Sequence, residues 1–294
     1  MLDRQVLHLP NLDLSYLIGG DGSESLLLLH GMADCALVWS SLADHLGSRY
    51  RIIAPDLRGH GESSKDIADY SFTSIIADLE ALMQHLGVTK VHLMAHSWSA
   101  KTAAIWATQK SDRFSSLIFV DPFFMSRFPT WFRLTFPLLY RVLPFLKVVG
   151  SFPNYETVEN IARTLKQYRG WSPLQQQVFQ ATIESQSDGT WHSKFPLNAR
   201  DRIFEAIMQV EGFTAPINIP TLFVQPETGL NRSNWQLQPY KSYCQNLQIC
   251  KVPGNHWAFL VEPAAFNDAI EWFLAYASGS IACWPRIAIP SLFR

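Results

Sequence analysis

The sequence is poor in cysteine and shows no excess of charge of either sign. Its four cysteines, at positions 35, 244, 250 and 283, form no C-x-x-C pair, so the spacing typical of a zinc site is missing. Lysine and arginine number 24 against 25 aspartates and glutamates, a net charge of −1, whereas nucleic-acid binding requires a basic excess. We therefore expect buried thiols, no metal site and no nucleic-acid partner.

Long hydrophobic runs are missing as well. No segment approaches the ~20 consecutive apolar residues that cross a membrane. The opening residues, MLDRQVLHLPNLDL, are interrupted by charge and proline, unlike a signal peptide. We thus expect no transmembrane segment and a cytoplasmic location. Apolar residues make up 48% of the 294 residues, which excludes a disordered chain. The ten tryptophans predict an apolar pocket or cover.

Predicted strands and helices alternate along much of the chain. Residues 4–19 predict a hairpin that turns at Pro10-Asn11. Continuous apolar runs then predict strands buried on both faces, at 25–30, 50–55, 90–95 and 117–120. Segments between them repeat apolar residues at helical spacing, most clearly at 74–86. This alternation predicts an α/β fold with a mostly parallel sheet flanked by helices.

The alternation stops after Asp121 and resumes at 220–224. Between them, residues 122–205 carry helical patterns without a clear buried strand. We therefore expect a helical insertion that divides one sheet domain into residues 1–121 and 206–278. A tail, residues 279–294, shows neither a helical nor a strand pattern.

One serine lies where a predicted strand turns sharply into a predicted helix. The segment HLMAHSWSA at 92–100 places Ser97 in that turn, where a side chain is forced out at the carboxyl end of the strand. The residues two before and two after must be small because strand and helix pass closely. Ala95 and Ser99 hold these places, in which two glycines are usual. In this context the pattern predicts a nucleophilic serine.

Three further motifs end predicted strands: HG at 30–31, DLRGHGES at 56–63 and GNH at 254–256. Together with the serine turn, they resemble the α/β-hydrolase family over about residues 24–120 and 218–276. The resemblance implies an α/β-hydrolase sheet whose helical insertion forms a lid.

The same resemblance implies the roles of individual residues. Ser97 would be the nucleophile, and His256 the base because it alone among nine histidines lies in the loop after the last strand. The backbone N–H groups of Met32 and Trp98 would receive an oxyanion. No metal or organic cofactor is implied.

The acid of the triad is left open by the sequence. The family usually places it just after the strand predicted at 221–224, where this chain has Gly229 in the aspartate position. Asp121 ends the strand next to the strand of the nucleophile and keeps the order Ser, Asp, His. Glu227 lies two residues before the vacant position. We favour Asp121 and keep Glu227 as the alternative.

The insertion bears on the substrate. Phe124 and Phe128 at its start, with Trp257 beside the base, predict an apolar substrate pocket. Residues 122–200 carry nine lysines and arginines against four acids, a net charge of +5. Such a charge would suit an anionic substrate, an acidic carrier protein or a membrane surface, and equally a solvated face. Lys101, one helical turn after Ser97, could reach either water or the site.

The sequence as a whole predicts a serine hydrolase. It would cleave a small-molecule or carrier-bound ester or thioester with an apolar acyl part, through an acyl-enzyme. By the resemblance, a serine rather than an aspartate at the turn disfavours haloalkane dehalogenase and epoxide hydrolase chemistry. Two alternatives stay open: carbon–carbon bond hydrolysis or a lyase step on the same fold, and a non-catalytic binding protein, which the vacant position at Gly229 would suit.

Overall fold

The computed structural model describes residues 2–136, 138 and 143–280. Its strands are β1 Asp3–Leu9, β2 Leu12–Gly19, β3 Glu24–Leu29, β4 Tyr50–Pro55, β5 Val91–His96, β6 Phe114–Val120, β7 Ser151–Phe152, β8 Ile183–Ser185, β9 Trp191–Ser193, β10 Thr221–Thr228 and β11 Leu247–Asn255. Its helices are α1 Ser40–Leu46, α2 Phe72–His85, α3 Ser99–Gln109, α4 Tyr155–Ala162, α5 Pro173–Ala181, α6 Leu197–Gln209, α7 Asn234–Tyr243, α8 Ala258–Val261 and α9 Pro263–Ala277.

The main sheet has the strand order β1-β2-β4-β3-β5-β6-β10-β11. From β4 to β11 each strand is parallel to its neighbours, whereas β1 pairs antiparallel with β2 as the predicted hairpin, and β2 pairs antiparallel with β4. The predicted α/β class with a mostly parallel sheet is confirmed. Because the chain passes from β3 to β4 on one side and then to β5 on the other, the carboxyl ends of β3 and β5 border a topological switch point, where open α/β sheets bind ligands.

The central strands of the sheet are buried on both faces, and strand β3 shows why such a strand has a continuously apolar sequence. Leu27 and Leu29 belong to the core that the sheet forms with α2 and α3. Leu26 and Leu28 belong to the opposite core, formed with α1 and α9. Successive side chains of a strand point to opposite faces, so a strand covered by helices on both sides must be apolar at every position.

A segment between β6 and β10, residues 121–220, is called the insertion below. It contains the helices α4, α5 and α6 and also a small antiparallel sheet in the order β7-β9-β8. The expectation of a purely helical insertion therefore missed this sheet, because strands of two or three residues are too short to show a periodicity. Helix α6 spans the boundary predicted at residues 205 and 206. Most of the predicted tail, from residue 281, lies outside the described residues.

None of the helices in the described ranges is both long and apolar enough to cross a membrane.

Candidate active site

Ser97 occupies a strained turn between β5 and α3. Its backbone φ is 60°, in the left-handed region, which costs a residue other than glycine ~1–2 kcal/mol. Two hydrogen bonds hold the turn: the Ser97 N–H donates to the Val120 carbonyl at 3.0 Å, and the Phe123 N–H donates to the Ser97 carbonyl at 3.0 Å. Val120 is the last residue of the neighbouring strand β6, and Phe123 lies just after it. The sheet itself therefore fixes the position of the serine.

The small residues around Ser97 are explained by close packing. Ala95 and Ser99 are fully buried. The Ser99 hydroxyl lies 2.9 Å from the His96 carbonyl and 3.2 Å from the Leu29 carbonyl, within donating distance of both. A serine in place of the usual glycine thus links the helix start to the ends of β5 and β3. The departure from two glycines is accommodated without opening the turn.

Asp121 emerges beside Ser97, as expected from the parallel sheet. Strand β6 lies next to β5, and the Asp121 N–H donates to the Val224 carbonyl of β10 at 3.0 Å. The carboxylate is fully buried and accepts three hydrogen bonds from the loop after β10. The donors are the Leu230 N–H at 2.8 Å, the Asn231 N–H at 3.1 Å and the Asn231 side-chain amide at 2.9 Å.

His256 joins the serine and the aspartate. Its Nδ1 lies 2.6 Å from Asp121 Oδ2, and its Nε2 lies 3.0 Å from Ser97 Oγ. Burial by itself raises the pKa of Asp121, but the hydrogen bond and charge of His256 and the N–H donors of Leu230 and Asn231 outweigh it and lower that pKa. The ionised carboxylate only accepts, so Nδ1 carries a proton and Nε2 is left to accept from the Ser97 hydroxyl.

The vacant acid position at Gly229 is filled in space. A Cβ atom at residue 229 would lie 2.5 Å from Asp121 Oδ2 and 2.8 Å from its Cγ. The carboxylate of Asp121 therefore occupies the volume that a side chain at 229 would need. Glu227, the alternative acid, is exposed, and the carboxylate at His256 Nδ1 is that of Asp121.

The backbone N–H groups predicted to receive an oxyanion belong to two residues that line this site. Met32 follows β3 and Trp98 follows Ser97, and both residues line the cavity at the serine. Neither N–H donates a hydrogen bond to any residue within the described ranges. Buried backbone donors are nearly always paired, so two free ones beside a nucleophile have the features of an oxyanion site.

The cavity at Ser97 and His256 has a volume of about 200 Å³. Its apolar lining includes Phe123, Leu143, Phe204, Leu230 and Trp257. Of the three predicted pocket residues, the structure places only Trp257 here.

Phe124 and Phe128, the other two, line a separate groove between the start of the insertion and α7. That groove shares only Phe123 and Leu230 with the cavity at Ser97. The prediction that Phe124 and Phe128 line the substrate pocket is therefore not supported. The chain turns away from Ser97 after Phe123, and this direction depends on packing rather than on aromatic content.

Lys101 does not reach the cavity. Its side chain is buried, and Nζ donates to the carbonyls of Ile207 at 2.5 Å and Val210 at 2.8 Å, at the end of α6. Burial lowers its pKa to about 7, and the charge of Glu211 opposes that shift. The ammonium binds the last carbonyls of a helix, so it ties the insertion to α3.

The remaining motif residues hold loops rather than face the cavity. Asp56 of DLRGHGES is fully buried and accepts from the N–H groups of Ala36 at 2.7 Å and Glu62 at 3.0 Å. His30 accepts from the Leu57 N–H at 3.0 Å through Nε2. The sequence did not indicate one further contact. His96 Nε2 donates to the His256 carbonyl at 2.9 Å and so fixes the loop that carries His256.

Comparisons with known proteins identify the family and the fold. A family model described as alpha/beta hydrolase fold matches residues 24–263. A fluoroacetate dehalogenase of a Burkholderia species is 30% identical over 169 residues, 52% of this chain and 54% of that protein. An sn-1-specific diacylglycerol lipase of Mus musculus is 26% identical over 274 residues, 90% of this chain and 86% of that protein. The chain matches about half or less of the first curated relatives, for instance 37% of a soluble epoxide hydrolase of Corynebacterium.

Solved structures with the same fold include an esterase from a marine microorganism and a thioesterase domain from the curacin biosynthetic pathway. The esterase has a TM-score of 0.71 at 21% identity and covers 92% of this chain and 100% of its own. The thioesterase domain has a TM-score of 0.70 at 22% identity, with 92% and 99% covered. At these identities the likeness shows the fold alone.

Proposed function

The chain belongs to the α/β-hydrolase family, and on that premise we propose that it is a serine hydrolase that cleaves a carboxylic ester or thioester through an acyl-enzyme. One observation carries the proposal: His256 lies between Ser97 Oγ at 3.0 Å and the buried Asp121 carboxylate at 2.6 Å. A serine within hydrogen-bond distance of a base that a third group orients is the arrangement of an activated nucleophile.

The mechanism follows from the two imidazole nitrogens. Nε2 of His256 takes the Ser97 proton as Oγ attacks the carbonyl carbon, and Asp121 stabilises the imidazolium through Nδ1. The N–H groups of Met32 and Trp98 would stabilise the oxyanion. One such donor lowers the activation barrier by ~3–4 kcal/mol. His256 then protonates the leaving group. A water molecule, deprotonated by the same nitrogen, releases the acid.

A serine at this position favours acyl transfer over displacement at a saturated carbon. An alkyl group transferred to Ser97 Oγ would form an ether, which has no carbonyl for water to attack, so the enzyme would be blocked after one turnover. A carboxylate nucleophile would avoid this, but no Asp or Glu is among the described residues that line the cavity. The likeness to a fluoroacetate dehalogenase and a soluble epoxide hydrolase therefore supports the hydrolase class rather than their reactions.

The cavity favours a small apolar acyl part. Most of its lining side chains are apolar, including Phe123, Leu143 and Trp257, and its volume of about 200 Å³ limits how much of a substrate it encloses. The non-catalytic alternative was motivated by the vacant acid position at Gly229 and by the departure from two glycines around Ser97. The Asp121 carboxylate in that space weighs against it.

A fluorophosphonate probe tests the proposal directly. The intact protein is incubated with the probe, and the modified peptide is identified by mass spectrometry. We expect a single adduct on Ser97 and turnover of p-nitrophenyl butyrate, because the serine is exposed to the cavity and has its base in place. A folded protein that remains unmodified, or carries the adduct elsewhere, would exclude the serine hydrolase.

Leu143 provides a test of whether the cavity at Ser97 binds the acyl part of the substrate. Leu143→Ala should lower kcat/KM for p-nitrophenyl butyrate about tenfold more than for the acetate, since apolar contacts worth one methylene contribute ~1–3 kcal/mol to discrimination. Leu138→Ala is the matched control because Leu138 is 64% exposed and does not line the cavity. Equal losses on both esters would show that Leu143 only supports the fold.

A further inference from the structure

The cavity at Ser97 also has charged and polar lining residues that the proposed reaction does not use. Besides His256, its charged lining residues are Lys166, in the insertion, and Arg232, in the loop after β10, and both are cations. Gln167, only 5% exposed, lies beside them in the lining. Among the described residues that line the cavity there is no carboxylate side chain.

Both cations are attached to the loops that build the active site. Arg232 Nε donates to the Gly229 carbonyl at 3.0 Å, which uses one of its five N–H bonds and leaves the terminal nitrogens for another acceptor. The backbone carbonyl of Lys166 accepts from the Asn255 side-chain amide at 2.9 Å, directly before His256. The side chain of Arg232 and the backbone of Lys166 are therefore both bonded to segments that carry the site residues.

Neither cation has a protein anion to neutralise it. Lys166 and Arg232 form no ion pair with any residue that the structure describes, in contrast to Arg58 with Asp78 and Lys194 with Glu62. Unpaired donors at the edge of an apolar cavity are arranged to receive an acceptor from outside the protein.

We propose that the substrate carries an anionic group, a carboxylate or a phosphate, that Lys166 and Arg232 bind while its ester or thioester lies at Ser97. The inference rests on the proposed function and specifies its substrate class. Arginine presents two parallel N–H bonds to such an anion, and lysine adds a mobile charge. The anion can belong to the acyl part or to the leaving group, and the experiment distinguishes these two sources.

Two pairs of substrates measure the preference. For an anion on the acyl part, p-nitrophenyl hemisuccinate is compared with its methyl ester, which has the same chain without the charge. For an anion on the leaving group, butyryl-phosphopantetheine is compared with butyryl-pantetheine, which differs from it only by the missing phosphate. We expect kcat/KM to be at least tenfold higher for the anionic member of one pair, and the preference to decrease as ionic strength rises.

The variants Lys166→Met and Arg232→Gln connect the preference to the proposed site. Each should reduce the anion preference, the ratio of kcat/KM for the anionic substrate to kcat/KM for its neutral partner, about fivefold or more. The matched controls are Lys147→Met and Arg169→Gln, since both residues are exposed in the insertion and neither lines the cavity. The controls should retain the full preference.

The outcomes separate the inference from the proposed function. Equal kcat/KM for both members of both pairs, or a preference that survives in Lys166→Met and Arg232→Gln, overturns the anion site while the serine hydrolase stands. If no substrate is cleaved, the rates of Ser97 labelling by a carboxylate-bearing and a neutral fluorophosphonate of equal length are compared, and equal rates again overturn the anion site. A protein that neither probe labels overturns both proposals.

Discussion

Replacing Ser97 by alanine should lower kcat for p-nitrophenyl butyrate by about 10⁶-fold, the loss that removal of the nucleophile causes in a serine protease. His256 and Asp121 cannot replace the missing oxygen, because a general base without a nucleophile leaves only water to attack. The variant should also lose all labelling by the fluorophosphonate. Steady-state kinetics on highly purified protein measures the loss, and mass spectrometry checks the labelling.

The fold should survive this substitution, and a second variant checks it. Alanine keeps the left-handed backbone at residue 97, where φ is 60°, so it adds no strain that serine did not already have. Glycine relieves that strain, so Ser97→Gly should unfold at a temperature no lower than Ser97→Ala while being equally inactive. A Ser97→Ala protein that is folded and retains more than about a hundredth of the activity would refute Ser97 as the nucleophile.

Replacing Asp121 by asparagine should lower kcat by about 10⁴-fold, as the comparable change does in a serine protease. The carboxylate accepts from His256 Nδ1 and from the N–H groups of Leu230 and Asn231. An amide has one oxygen where the carboxylate has two. If its NH₂ group faces Nδ1, the imidazole adopts the wrong tautomer. If its oxygen faces Nδ1, the Asn231 N–H and the Asn231 side-chain amide lose their acceptor.

Loss of stability must be separated from loss of chemistry in this variant. An unsatisfied buried donor costs ~1–3 kcal/mol, so thermal unfolding is measured beside kcat, and activity is compared well below the midpoint of unfolding. Glu227→Gln is the matched control, since Glu227 is exposed and should retain full activity. Activity above about a tenth in Asp121→Asn together with its loss in Glu227→Gln would reverse the assignment of the acid.

Gly229→Ala probes the same carboxylate without altering it chemically. The added methyl would lie 2.5 Å from Asp121 Oδ2, so the carboxylate must shift away from its hydrogen bond to His256. We expect this variant to lose activity in the same direction as Asp121→Asn, although by less. Unchanged activity would show that the place of the carboxylate is not critical.

The sequence by itself determined the sheet and two of the three residues at the centre of the site. Strands such as β3 and β5 were predicted because burial on both faces requires an apolar residue at every position, and that requirement is visible within a single segment. Ser97 is identified from the small residues that its turn needs at fixed spacing, and His256 from the resemblance to the α/β-hydrolase family together with its place in the loop after the last strand. These features depend on neighbours in the chain.

Tertiary structure decided the acid, the cavity lining and the role of Lys101. The sequence left both Asp121 and Glu227 open as the acid. The choice depends on the contact between Asp121 and His256, which are 135 positions apart in the chain. The glycine at 229 shows that the usual acid is missing but does not show which carboxylate replaces it. Phe124 and Phe128 share the aromatic character of Phe123, yet only Phe123 lines the cavity at Ser97. Composition reports how apolar a segment is, whereas the direction in which the folded chain leaves the sheet decides which side chains meet the substrate.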